Sequence, residues 1–314
     1  MGGKHRAFDD HRDMFPATVD IIRRVQPKAF ILENVKGLTR SAFANYFAYI
    51  QLQLSFPEIV RKSGEDWMDH LARLEREKTS GVAHGLNYDV VSRLVNAADY
   101  GVPQKRERVF IVGFRHDIGV KWSFPERTHS REAMIADQLI TKEYWDRHRV
   151  ARRERPEQGR VSDSAVERIR QQNEPIEHLP WRTVRDALVG LPDPEHSSGE
   201  HLNHRFQPGA KAYPGHTGSP LDAPSKALKA GDHGVPGGEN MMVKADGSVR
   251  YFTARECARL QTFPDGYLLD GSWSETMRQL GNAVPVTLAE VVCGSVGQSL
   301  AGHSLDVLHM KGRA

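Results

Sequence analysis

Apolar residues along this chain follow two periodicities, separated by a long stretch that shows neither. Residues 16–25 (PATVDIIRRV) repeat at helical spacing: Pro16 suits a first turn, and Val19, Ile22 and Val25 share one face. The run Ala29-Phe30-Ile31-Leu32 predicts a buried strand over 28–33, lying between Pro27 and Gly37, with Glu33-Asn34 at its carboxyl end. Residues 65–78 predict an amphipathic helix with Trp67, Leu71 and Leu74 turned inward. A strand through Tyr88, Val90 and Val91 follows, then the polar loop AADYGVPQKRER, then the β-prone VFIVGF at 109–114. This alternation of helix and strand predicts the α/β class with a mostly parallel sheet.

The pattern fades near residue 120. Residues 125–250 are rich in Pro, Gly, His and Arg and predict a loop-dominated second region. Its basic segment HRVARRERPEQGR is interleaved with Glu and reads as a solvated face. Periodicity returns at YFTARECARLQTFPDGY. Thr253 and Glu256 have capping-box spacing, so a helix should begin at Ala254 and carry Cys257, Leu260 and Gln261 before Pro264. In SETMRQLGNAVPVTLAEVVCGSV, Gly281 reads as the end of one helix and Pro285 as the start of the next. The latter has Leu288, Val291, Val292 and Val296 on its apolar face. The tail after Gly302 reads as frayed.

At 314 residues the chain can bury the cores of two domains. A net charge of +3 and a pI near 8.8 are mildly basic, compatible with nucleic acid without requiring it. Two cysteines, Cys257 and Cys293, exclude a disulfide framework and a CxxC metal site, and both fall at positions that read as core. With no apolar run long enough to span a bilayer and no secretory leader, the expectation is a soluble cytoplasmic protein, with no metal and no membrane partner. A carboxylate at a strand's carboxyl end stands where open α/β sheets bind ligands. Partial desolvation there lets it hold or donate a proton near neutrality. For Glu33 the competing reading is a strand-end residue capping a neighbouring helix.

Four segments bear on that choice. FILENVKGL, ADYGVPQKRERVFIVGFR, YFTARECARLQTFPDGY and QLGNAVPVTLAEVV resemble, in order, later motifs of the DNA cytosine-5 methyltransferases. The resemblance extends to GGKHRAFDDHRDMF at the start. It implies an incomplete Rossmann-like S-adenosylmethionine-dependent methyltransferase sheet with a smaller loop-rich target-recognition domain. The implied boundaries are 1–122 and 271–314 for the catalytic part and 123–270 for recognition and its supporting helix. In that chemistry a cysteine thiolate adds to cytosine C6, and C5 takes the methyl of S-adenosyl-L-methionine. The Glu33-Asn34 pair would sit at the base, with Glu33 on N3 and the exocyclic amine and Arg108 on O2. Arg106 would fix the nucleophile loop, and Asn282 would lie beside the cofactor, as would Met14-Phe15, which also read as core. Double-stranded DNA is the implied partner, with the target base flipped out of the stack. Arg152, Arg153, His204, Arg205 and Lys211 are candidate DNA contacts. Where relatives often carry Thr-Leu, this chain has Ala227-Leu228.

The family's glycine-rich cofactor loop and its Pro-Cys-Gln nucleophile loop have no counterpart in this sequence, which contains no Pro-Cys dipeptide. Three expectations follow: a catalytic portion completed by an amino-terminal segment, one subunit of a split enzyme, or a non-catalytic DNA-binding remnant. An RNA cytosine methyltransferase on the same scaffold is a further alternative, against which the long insert argues.

Overall fold

The computed structural model describes residues 14–80, 85–155, 161–171, 176–196, 201–214, 217–230, 240–244 and 246–311, with side chains through Gly302. Most of the opening GGKHRAFDDHRDMF segment and the glycine-rich stretch 231–239 lie outside them. The chain forms two compact units: the described residues of 1–95, 107–125 and 292–314, and those of 96–106 and 126–291.

In the first unit, α1 (Phe15–Val25) leads into β1 (Ala29–Val35). Then come α2 (Ala44–Ser55), α3 (Trp67–Ser80) and β2 (Tyr88–Asn96). The chain leaves through β3 (Gln104–Lys105) and returns as β4 (Glu107–Arg115). The sheet order is β1-β4-β2. β1 runs antiparallel to β4, from Ala29 opposite Phe114 to Val35 opposite Arg108. The expected mostly parallel arrangement is therefore corrected. Parallel neighbours need a crossover of a dozen or more residues, and β2 and β4 are separated by only ten.

β4 is the centre, and all six residues of VFIVGF are buried. Val109 and Ile111 face a core built with Phe30, Tyr46, Tyr49, Ile50 and Leu74, against which Trp67 and Leu71 pack. Gly113 leaves the space that the Phe30 ring fills opposite it. α2 escaped the sequence reading because it is apolar nearly all round and so lacks a clear helical stripe. Two inward expectations fail. In β1 only Phe30 is buried, because β1 is an edge strand with its other side unpaired among the described residues. Val25 is 67% exposed, because it closes the helix just before Gln26 turns left-handed.

The second unit is richer in helix than its composition suggested. After β5 (His129–Ser130) come α4 (Arg131–Ile135), a π turn over Ala136–Ile140, α5 (Glu143–Arg147), α6 (Asp163–Arg170), β6 (Leu179–Pro180) and α7 (Val184–Leu188). These helices are too short for periodicity to show. Small strands follow: β7 (Ser219–Pro220), β8 (Ser225–Lys226), β9 (Met241–Val243) and β10 (Val249–Tyr251). They lead to α8 (Ala254–Leu260) and α9 (Trp273–Asn282), and α10 (Val286–Lys311) begins here and ends in the first unit. The helix of α10 runs past Gly302 to Lys311, where fraying was expected. Leu288, Val292 and Val296 are buried along it at i, i+4 spacing, whereas Cys293, one residue round the helix, is exposed rather than core. By length and composition the stretch Trp273–Gly302 could cross a membrane, a test that buried helices also pass.

His70 on α3 supplies a measurable property of the first unit. Its Nε2 lies 2.7 Å from the Ile59 carbonyl, which only accepts, so Nε2 carries the proton and Nδ1 accepts from the Tyr49 hydroxyl at 2.8 Å. Burial lowers the imidazole below its ordinary 6.5 and pushes the Tyr49 hydroxyl up to about 12. The folded state therefore binds this proton less readily than the unfolded chain. The stabilisation is complete above 6.5 and is lost as pH falls below it. Urea unfolding followed on both sides of that value should show the loss, and a His70→Asn chain should show a shallower dependence.

Candidate active site

Residue alternation along β1 and β4 decides which side chains meet. Glu33 opposes Phe110 and Val35 opposes Arg108, so Glu33 and Arg108 share a face as diagonal neighbours. Arg108 Nε lies 2.8 Å from Glu33 Oε1, with both side chains mostly covered. Oε1 is itself buried, and the guanidinium beside it is its partner by charge rather than through a well-aligned hydrogen bond. Burial pushes the Arg108 guanidinium down and Glu33 opposes that shift. Arg108 Nη1 also donates to the Glu107 carbonyl at 2.9 Å, and Lys36 and Glu107 pair at 2.7 Å nearby.

Glu33 is not the last residue of its strand. β1 continues to Val35, so the carboxylate is held by ladder pairing on its outgoing side as well. Asn34 belongs to the opposite face, with Val109, and its Oδ1 accepts from the Val35 backbone N–H at 2.8 Å. The structure brings Glu33 together with Arg108 and turns Asn34 away.

Arg106 and Asn282 meet in the second unit. Arg106 is fully buried. Its Nη1 donates to the Leu228 carbonyl at 3.0 Å, and its Nη2 to the Gly281 and Ala283 carbonyls at 2.7 and 2.9 Å. The last two flank Asn282, which is exposed at the end of α9. Gln104 works beside it: its Oε1 accepts from Leu228 N–H at 3.1 Å and its Nε2 donates to the Leu260 carbonyl at 3.3 Å. Gly281 does not cap a helix as expected. A Cβ there would fall on the backbone of Lys229 and Ala230, so glycine is required for close approach.

The TxRExARLQ segment is a hub of the same kind. Thr253 and Glu256 form the expected capping box, and Glu256 also takes both Nη groups of Arg250 at 2.7 Å. Arg255 donates to the carbonyls of Leu202, Pro264 and Tyr267. Gln261 Nε2 donates to the Leu280 carbonyl at 2.5 Å. Arg250 and Arg255 were not singled out from sequence; burial of an arginine leaves no local signal.

The profile of the C-5 cytosine-specific DNA methylases matches residues 1–56 and 77–298, most of the chain. The chain belongs to this family. The type II methyltransferase M.SacI of Streptomyces achromogenes is 28% identical over 95% of this chain and 67% of its own length. M.BspRI of Lysinibacillus sphaericus is 27% identical over 96% of this chain and 58% of its own. The solved Dnmt2 methyltransferase of S. pombe is 16% identical over 91% of this chain and 72% of that one, with a TM-score of 0.46. The chain thus spans roughly three-fifths to two-thirds of the two bacterial methylases.

Methylases of this family draw their methyl group from S-adenosylmethionine. Asn282, expected beside that cofactor, is an exposed residue at the end of α9, and no glycine-rich loop accompanies it in this sequence. The residues present do not by themselves make a cofactor site. Among the described residues no group of three His, Cys, Asp or Glu is placed to hold a metal ion. Cys257 is buried, and burial pushes its thiol well above the ordinary value, the opposite of what a nucleophile needs.

Two substitutions test the Arg106 cluster. Gly281→Ala should destabilise the fold by about 1–3 kcal/mol, because the clash with backbone outweighs the gain of roughly 1 kcal/mol in helix propensity. Gly294→Ala, in α10 and facing open space, should be neutral or stabilising in the same urea titration.

Proposed function

We propose that this chain is the base-holding and target-recognising portion of a DNA cytosine-5 methyltransferase. The observation that carries the reading is the covered Glu33–Arg108 pair, a carboxylate and a guanidinium held on one face of β1 and β4. A cytosine flipped out of duplex DNA would present its N3 and exocyclic amine to Glu33 and its O2 to Arg108. As a thiolate adds to C6, negative charge grows on O2 and N3. Arg108 stabilises the first by a charge-assisted bond and Glu33 the second through a shared proton. Arg106 holds the carbonyls on both sides of Asn282, so that amide would meet the cofactor from a fixed backbone.

Neither cysteine of this chain fits the nucleophile, Cys257 because it is buried and Cys293 because it lies within α10 and follows Val292 rather than a proline. The thiolate and the glycine-rich loop are therefore supplied by residues other than these 314, in the same polypeptide or in a partner subunit. The unpaired side of β1 supports this, since an added strand there would bury Ala29 and Ile31, which the present sheet leaves half-covered. The recognition role falls to the second unit, in keeping with a cytoplasmic modification enzyme acting on duplex DNA.

The test is single-turnover methyl transfer beside DNA binding at one salt concentration. The 314-residue chain alone should transfer no methyl group. Joined to a segment carrying the glycine-rich loop and Pro-Cys-Gln, it should methylate cytosine C5. In that active form Glu33→Gln should slow turnover roughly a hundredfold with DNA binding little changed. Robust transfer by the chain alone, or normal turnover of the Gln variant, would overturn the reading.

A further inference from the structure

The segment His201–Gln207 has an unusual division of labour. Its first half is pinned. Asn203, in a left-handed conformation, exchanges two side-chain hydrogen bonds with the Leu269 backbone, Nδ2 donating at 2.8 Å and Oδ1 accepting at 3.2 Å. The Asn203 carbonyl accepts from Arg255 N–H, and the Leu202 carbonyl accepts from Arg255 Nε, each at 3.0 Å. His204 is buried, with Nδ1 2.8 Å from Thr253 Oγ1 and Nε2 2.9 Å from the Pro192 carbonyl. The next three residues are released. Arg205 and Phe206 are exposed, and among the described residues Arg205 has no carboxylate partner. Gln207 makes only one long contact, 3.5 Å from its Nε2 to the Arg205 carbonyl. A cleft of about 620 Å³ opens beside them, bounded across the way by Leu268 and Asp270.

We propose that Arg205 and Gln207 read base edges of the duplex, with the Arg255–Thr253–Asn203 network as their pedestal. Arginine pairs bidentately with guanine O6 and N7, and glutamine with adenine N6 and N7, in the major groove. A backbone fixed up to His204 limits the freedom that the adjoining Arg205 loses on binding, which lowers the ordering cost of contact. Phe206, held between the two, offers an apolar surface to a thymine methyl or a base step. Of the basic residues in the second unit, Arg155 and Arg185 are engaged by Asp146 and Asp222. Arg205 directly follows the pinned His204 and has no carboxylate partner among the described residues. This inference rests on the proposed function and assigns the reading of sequence within it.

The experiment is selection of duplexes from a randomised pool by the 314-residue chain and by Arg205→Ala, Arg205→Lys and Gln207→Ala, all surface changes. The chain should enrich one sequence. Arg205→Ala should lose preference for guanine at a single position by about tenfold to a hundredfold. Arg205→Lys should keep affinity for unselected duplex while losing most of that preference, since the compact ammonium lacks the planar fork. Gln207→Ala should relax a neighbouring position. Uniform weakening by Arg205→Ala across all sequences, fully restored by Lys, would make it a phosphate contact and overturn the proposal. Unchanged selection by every variant would do the same while leaving the functional reading intact. A chain that selects no duplex sequence at all would overturn both.

Discussion

The buried guanidinium of Arg106 is the constraint on which the second unit depends. A fully buried cation is costly unless it is hydrogen-bonded, and here three carbonyls from two distant segments converge on its two terminal nitrogens. Leu228 lies among the small strands, and Gly281 and Ala283 end α9. Gln104 and Gln261 close the same junction with amides, so the segments at 104–106, 228–230, 260–262 and 280–286 are tied by polar side chains beside the short pairing of β3 with β8. Three of the four motifs read in the sequence as separate signatures contribute residues to this one junction in the second unit.

In the first unit the corresponding constraint is register. The pairing of Glu33 with Phe110 and of Val35 with Arg108 puts the carboxylate and the guanidinium on one face, while the aromatic core occupies the other. A slip by one residue would exchange Glu33 for Asn34 at that face. Phe30 seated over Gly113 opposes the slip, since a shift of one residue would set its ring against Val112 or Phe114.

Much of this was legible in the residues, and the exceptions have physical causes. The capping box at Thr253 and Glu256, the strand VFIVGF and the helix carrying Leu71 and Leu74 follow from local pattern, and the structure has them. Glu33 and Arg108 could be named individually, but their contact depends on antiparallel pairing, which no local pattern encodes. α2 was lost because its apolar residues lie nearly all round the helix and blur the periodicity, and α4 to α7 because five to eight residues hold too few turns. Gly281 was read as a helix stop because glycine has two uses, and only the nearness of Ala230 tells them apart. Cys293 shows the limit of reading an apolar face by eye: one hundred degrees of rotation from Val292 carries it into solvent.

The contact between Gly281 and the backbone of Lys229 and Ala230 has a consequence for how such proteins are recombined. Backbone against backbone leaves no side chain to adjust, so the path of the chain at 229–230 and the glycine at 281 are inherited as one shape. A graft whose seam fell between them would join two surfaces moulded separately. Donor and recipient would have to be cut so that both travel together, making the unit of specificity exchange larger than the stretch that meets the ligand.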